Sequence, residues 1–119
     1  MSSAAAARVL AAGAAWRLTG AAGAGRSLLA AVSRGSETER TAAAIMLVRA
    51  GDRSVPLVTG ALLDGSASLG LVEVLGSIGT DDAKEALRRV AHAPGSRVAA
   101  PAREAAAETL RTLDGPAGR

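Results

Sequence analysis

Residues 71–91 read LVEVLGSIGTDDAKEALRRVA, and residues 43–63 read AAIMLVRAGDRSVPLVTGALL. In each stretch, small or apolar residues recur at the spacing of one helix face, a glycine interrupts the pattern, and a second apolar stripe follows. The two stretches are offset by 28 residues. A helix pair of this kind cannot bury its apolar side alone, so the sequence predicts that neighbouring pairs stack on each other. The matched positions are Ala43, Met46, Leu47, Ala50, Gly51, Val55, Val58 and Leu62, and then Leu71, Val74, Leu75, Ile78, Gly79, Ala83, Ala86 and Val90.

Helix start and stop signals divide the whole chain into about seven helices. Ser36 and Glu39 have the spacing of a capping box, which predicts a helix start at residue 36. Gly51 and Gly79 are expected to end helices in the left-handed conformation. Thr80 is expected to cap the helix that follows. The predicted helices span about residues 3–18, 26–33, 36–50, 54–64, 68–78, 80–92 and 100–113.

Two helix starts are less sharply defined by the sequence. Asp52 or Ser54 can cap the fourth helix, with Pro56 in its first turn. Ser66 or Ser68 opens the fifth helix. No stretch alternates apolar and polar residues over a useful length, so the sequence predicts no strand.

The composition indicates one small intracellular domain. The chain has 119 residues, of which 30 are alanine, and it lacks Phe, Tyr and Cys. Alanine favours helices but adds little buried area, so we expect low stability. The absence of cysteine excludes disulfides and fits a reducing compartment. No apolar stretch reaches the roughly 20 residues of a membrane span. The expected location is the cytoplasm.

The basic charge is concentrated in the N-terminal quarter. Residues 1–34 contain four arginines and no acid, whereas the remainder has 10 basic and 11 acidic side chains. This quarter has some of the character of an organelle presequence, but a general preference for Ala and Arg is the favoured explanation. Residues 1–35 are therefore interpreted as a helical segment or a degenerate capping repeat, 36–113 as the repeats, and 114–119 as a flexible tail.

The repeat stretches resemble the HEAT-like repeats of bacterial proteins, in particular the short type called PBS-lyase HEAT-like repeats. Residues 75–83, LGSIGTDDA, are similar to the turn between the two helices of that repeat, and residues 103–110, REAAAETL, are similar to a first helix. The likeness covers about residues 36–113. It implies an all-α fold in which antiparallel helix pairs form a short α-solenoid. Most members of such families provide binding surfaces, and a few are enzymes.

No catalytic, cofactor-binding or metal-binding residues are predicted. His92 is the single histidine, and it fits the last turn of a helix better than a ligand set. The glycines at positions 20, 23 and 25 lack the lysine of a phosphate loop and favour an inter-helix turn. Asp81 and Asp82 are typical of a helix start, and Glu104 and Glu108 of an exposed helix face.

The helix over 81–92 separates apolar from polar side chains completely. At 100° per residue its polar residues occupy an arc opposite the apolar one. This arc is the candidate interaction surface, and the alternative is an ordinary solvated face with a Glu85–Arg89 ion pair. Arg53, and Arg26 from an earlier helix, are candidates for the same face. The candidate residues are Arg53, Lys84, Glu85, Arg88, Arg89 and His92.

The sequence favours a non-catalytic module that binds another protein, one with an acidic surface. One alternative is an accessory subunit of a lyase-like enzyme. Another is an electrostatic binder of nucleic acid or of an anionic surface through the arginines. Nucleic acid is disfavoured, because the net charge is only +3 and the chain has no aromatic residues at which bases could stack in succession. The sequence leaves the oligomeric state open.

Overall fold

The computed structural model describes residues 3–20 and 22–114. These residues form seven α-helices, one 3₁₀ turn and no strand. The prediction of an all-α fold with seven helices is therefore confirmed for this part of the chain. The helices are α1 (Ser3–Thr19), α2 (Ala22–Arg34), α3 (Glu37–Arg49), α4 (Ser54–Leu63), α5 (Leu69–Ile78), α6 (Asp81–Ala91) and α7 (Ala100–Asp114).

The helices pack in two rows. The odd-numbered helices contact one another in chain order, α1 with α3, α3 with α5, and α5 with α7. The even-numbered helices do the same, α2 with α4 and α4 with α6. The molecule measures 45 × 30 × 23 Å. Helices that are two apart in the chain are thus spatial neighbours throughout.

The core runs between the two rows as one apolar cluster. It consists almost entirely of Leu, Val and Ala, and Trp16 of α1 is its one aromatic member. The two repeat stretches bury their matched positions alike, because seven of the eight in each are apolar side chains that are buried or packed against the core. The largest fully buried apolar side chains are Leu28, Leu47, Leu62, Leu71, Leu75, Leu87, Val58, Val72, Val74, Val90 and Val98.

Most predicted helix ends are confirmed by the observed caps. Ser36 and Glu39 form the full capping box, and the Ser36 backbone N–H donates to the Glu39 carboxylate and lowers its pKa. Gly51 and Gly79 have φ of 63° and 64°, a left-handed conformation that glycine adopts without a steric penalty. The Thr80 hydroxyl accepts from the Ala83 N–H. These ends are encoded locally, which is why the sequence predicted them.

The start of α2 was predicted wrongly. The expected turn over three glycines is reduced to Gly20, which has φ of 66°. Gly23 and Gly25 lie inside α2, which begins at Ala22 rather than near residue 26. Gly25 is buried where α2 contacts α1 and α4, and a Cβ there would lie 3.0 Å from both Trp16 and Leu57. Close packing explains this glycine, whereas the sequence suggested flexibility.

The cap expected for α4 was also wrong. Neither Asp52 nor Ser54 caps α4, and its N-cap position, Arg53, makes no side-chain capping bond. The fully buried Ser54 hydroxyl instead donates to the Leu47 carbonyl oxygen at 2.8 Å and accepts from Trp16 Nε1 at 2.9 Å. Ser54 therefore joins α1, the last turn of α3 and the first turn of α4.

The segment before α7 is hydrogen-bonded to the end of α4, and α7 packs against α6. In the segment before α7, Val98 is fully buried and Arg97 Nε donates to the Leu63 carbonyl oxygen at the end of α4, at 3.2 Å. Asp114, predicted as the first residue of a flexible tail, is the last residue of α7. Residues 115–119 of the predicted tail lie outside the described residues. In the described ranges, no helix combines the length and the apolar character needed to cross a bilayer.

Replacing Ser54 with alanine should destabilise the fold. The change leaves the buried Trp16 indole N–H without an acceptor, and an unsatisfied buried donor costs about 1–3 kcal/mol. We expect the free energy of unfolding to fall by this amount in urea denaturation followed by Trp16 fluorescence. Ser77→Ala, at an exposed position of α5, is the matched control and should change stability by less than about 0.5 kcal/mol. Equal stability of the two variants would contradict the assigned role.

Candidate functional site

The polar arc predicted on α6 lies on the outside of the molecule. Ala83, Ala86, Leu87 and Val90 are buried, whereas the opposite side of the helix is exposed or half-buried. The structure therefore separates the two sides of α6 as its sequence pattern indicates. It does not, however, gather the six candidate residues into one patch.

Lys84 and Arg88 are directed towards the end of α7. Lys84 Nζ lies 3.5 Å from the Asp114 carboxylate, and Arg88 lies 3.9 Å from the same group. Arg88 also pairs with Glu85 at 3.1 Å, so the expected Glu85–Arg89 pair is replaced by one a residue shorter. Exposed pairs of this kind contribute at most about 1 kcal/mol each. Their consequence for binding is that much of the positive charge on α6 already has a partner.

Arg53 and His92 have other surroundings. The Arg53 guanidinium occupies the space beside Gly20, at the turn between α1 and α2. His92 is exposed just past the end of α6, with Nδ1 2.9 Å from the Arg88 carbonyl oxygen. The histidine thus interacts with its own helix end, as its sequence position suggested.

The remaining candidates, Glu85 and Arg89, line a groove of about 470 Å³ between α4 and α6. Its walls are the facing sides of the two helices and the turn before α4. Apolar side chains form much of its lining, and charged groups stand along its edges. The lining residues are Asp52, Val55, Pro56, Thr59, Gly60, Leu63, Asp82, Glu85, Ala86 and Arg89.

The edge of this α4/α6 groove is acidic. Its lining holds three carboxylates, from Asp52, Asp82 and Glu85, and one guanidinium, from Arg89. Glu85 also pairs with Arg88 at 3.1 Å, so the formal balance is −1 when Arg88 is counted. The Asp52 carboxylate also accepts a hydrogen bond from the Thr80 hydroxyl. Within the described chain, Asp82 takes part in no ion pair. The groove therefore presents negative charge to a ligand, although the sequence had drawn attention to the cations.

Gly60 keeps the α4/α6 groove open. This glycine lies inside α4, where it destabilises the helix by about 1 kcal/mol relative to alanine. A Cβ at Gly60 would meet no heavy atom within 4 Å, so packing does not require a glycine there. Gly76 of α5 is different, because its Cβ would lie 2.6 Å from Thr109 Cγ2 of α7. Of the two glycines Gly60 and Gly76, only Gly60 faces empty space.

A larger groove, of about 590 Å³, lies along α3 and α5. Ile45 and Leu69 stand at it with 45% and 47% of their surface exposed. Its charged residues are of both signs, Glu37 and Glu73 with Arg40. This groove has apolar surface but less charge selectivity than the α4/α6 groove.

The structure gives the paired carboxylates structural positions. Asp81 and Asp82 lie in the first turn of α6, where negative charge suits the helix dipole. Glu108 is exposed on α7 and pairs with Arg111. No group of three or more His, Asp or Glu side chains in the described residues is arranged to hold a metal ion. In the described part of the Gly20–Gly25 stretch, Gly23 and Gly25 lie within α2.

The sequence did not predict two side-chain contacts that hold the helices around the groove in place. Thr80 and Asp52 occupy equivalent places in the two repeat stretches, 28 residues apart, and their side chains bond directly. The 28-residue offset between the two repeat stretches was the sequence signal for this contact. The link from Trp16 through Ser54 has no such signal, because it joins parts of the chain with no shared pattern.

No known protein family, curated protein or solved structure matches the chain. The resemblance to HEAT-like repeats therefore stays a prediction from the residues quoted above.

Alanine at position 60 should stabilise the protein, and alanine at position 76 should not. Gly60→Ala removes backbone freedom from the unfolded chain without a clash, so we expect a gain of up to about 1 kcal/mol. In Gly76→Ala the same gain is offset by overpacking of about 1–3 kcal/mol against Thr109. Urea titration of both variants measures the difference. A loss of stability in Gly60→Ala would show that the position is sterically restricted.

Proposed function

We propose that this protein is a non-catalytic binding module for another protein, built as a short α-solenoid of HEAT-like antiparallel helix pairs. The α4/α6 groove is its docking surface. The observation that carries the proposal is the groove itself, with an apolar lining, a charged edge and a glycine that no packing contact requires.

The solenoid arrangement is supported by the way the repeat stretches meet. In a stack of equal units, equivalent positions of neighbours face each other. Asp52 and Thr80 are equivalent and bonded, and Gly51 and Gly79 have the same left-handed conformation. The two rows of helices, each in chain order, have the connectivity of such a stack.

The charge of the groove favours a partner with basic side chains. The sequence suggested an acidic partner, on the assumption that the cations of α6 face one way. Lys84 and Arg88 are paired with acids, and the lining of the groove holds three carboxylates with the one guanidinium of Arg89. A lysine or arginine stem can pack along apolar surface while its charged end meets a carboxylate. The proposed ligand is therefore a basic segment of a protein.

A photo-crosslinking residue at position 60 tests the proposal. Because a side chain there projects into open space, the variant Gly60→p-benzoylphenylalanine should fold and label whatever occupies the groove. We expect protein adducts in an extract of the source cells, identified by mass spectrometry. The same probe with Asp82→Lys should lose them. A matched probe at Ile45, on the α3/α5 groove, should give a different adduct pattern.

Two results would refute the proposed groove. One is the absence of protein adducts at position 60 under conditions where the probe at Ile45 reacts. The other is an unchanged adduct pattern after Asp82→Lys, because the acidic edge would then contribute nothing to recognition.

One observation favours the electrostatic alternative. Arg26 and Arg34 line a shallow depression of about 360 Å³ between α2 and α4 that contains no acidic residue. If this surface binds nucleic acid, retention on duplex DNA should fall steeply with salt, and Arg26→Gln with Arg34→Gln should abolish it. Leu28 and Val32 of α2 are buried, so substitution is a cleaner test than deleting residues 1–34. Salt-independent or absent retention of the unmodified protein would exclude this alternative.

A further inference from the structure

Helix α1 carries the two large apolar side chains with the highest exposed fraction among the described residues. Leu18 is 81% exposed and Leu10 is 55% exposed. The two are eight residues apart, with Ala14 midway, so they form one ridge along the helix. Burying an exposed leucine is favourable in proportion to the apolar area that is removed from water. A ridge of this kind is suited to lie in a groove between two helices.

Positive charge flanks this ridge. Arg8 and Arg17 are exposed on α1, and residues 1–34 contain no acid. The α1 ridge, defined by Leu10, Ala14 and Leu18, is thus an apolar ridge on a basic helix. The α4/α6 groove is lined by apolar side chains together with three carboxylates and one guanidinium. A ridge fits a groove in shape, and the two surfaces are opposite in charge.

We propose that the occupant of the α4/α6 groove is the α1 ridge of a second copy of this chain. The inference rests on the proposed function, because it uses the same groove. Within one molecule α1 packs against α2 and α3, whereas the groove lies between α4 and α6, so the contact forms between molecules. Leu18 enters beside Gly60, and the arginines of α1 meet Asp82 and Glu85.

The symmetry of this contact is distinctive. Ridge and groove are different surfaces, so each molecule offers one of each and the association is head-to-tail. Head-to-tail contacts extend into open chains or close into rings, whereas a two-fold contact stops at two copies. The assembly should therefore grow with concentration beyond the dimer, and it should weaken as salt screens the charges.

Sedimentation velocity of the purified protein tests the inference. For the unmodified chain we expect an average mass that exceeds two copies at high concentration and decreases between about 0.05 and 0.5 M salt. Leu18→Asp removes the ridge and Gly60→Trp fills the groove, so each variant alone should stay monomeric. Mixed together, they retain one ridge and one matching groove, and should form a 1:1 dimer that grows no further.

Controls separate this result from misfolding. Ile45→Asp places the same charge on the exposed surface of α3 and should leave assembly unchanged. Asp82→Lys, at an exposed position, provides a second groove variant. It should also be monomeric alone and, because its ridge is intact, should form a 1:1 dimer with Leu18→Asp. Circular dichroism should give the same helix content for all variants.

Three outcomes would overturn the inference. They are a monomer at every concentration, a dimer that survives both Leu18→Asp and Gly60→Trp, and a failure of the two variants to associate when mixed. If one of these occurs while the probe at position 60 captures a different protein, the groove remains a binding site and only its assigned occupant is wrong. If the probe captures nothing as well, the proposed function fails too.

Discussion

Close approach between alanine-rich helices is the constraint on which this structure depends. Side chains this small fill little space, so two helices contact each other fully only when their backbones come near. Several glycines inside the helices mark such crossings, whereas Gly23 and Gly60 do not. Gly25 faces Trp16 and Leu57, Gly70 faces Val32, and Gly76 faces Thr109. Each gives up helix propensity for a contact that a methyl group would prevent.

The same constraint explains why one buried polar contact has a large structural role. With few bulky residues, the orientation of α1 relative to the rest is fixed by a small number of side chains. Trp16 supplies the largest of them, and its indole N–H requires an acceptor once it is buried. Ser54 provides that acceptor and also satisfies the Leu47 carbonyl. One hydroxyl therefore sets the relation of α1, α3 and α4.

The fold was predictable from the sequence where its signals are local. Ser36, Thr80 and the left-handed Gly51 and Gly79 define helix ends through bonds within a few residues of themselves, and these predictions hold. Gly25 and Ser54 were misread because their roles are set by distant neighbours. A glycine in a turn and a glycine at a helix crossing are identical in a sequence. A capping serine and a buried bridging serine are identical as well.

The candidate site was predictable only on one of its two walls. The polar arc of α6 follows from periodicity, but a groove needs a second helix and a gap between the two. Lys84 and Arg88 lie near Asp114 of α7, whereas Asp52 before α4 is part of the groove lining. None of these relations is contained in the sequence of α6. The polar arc of α6, considered alone, therefore indicated an acidic partner, whereas the lining of the groove favours a basic one.

The two ends of the molecule differ in a way that bears on assembly. At the C-terminal end Glu104, Glu108 and Arg111 of α7 are exposed. At the N-terminal end α1 instead exposes Leu10 and Leu18. The outward side of α7 therefore carries charged side chains, whereas that of α1 carries apolar area. In the proposed head-to-tail contact, this apolar area meets the groove beside Gly60, where a side chain has open space.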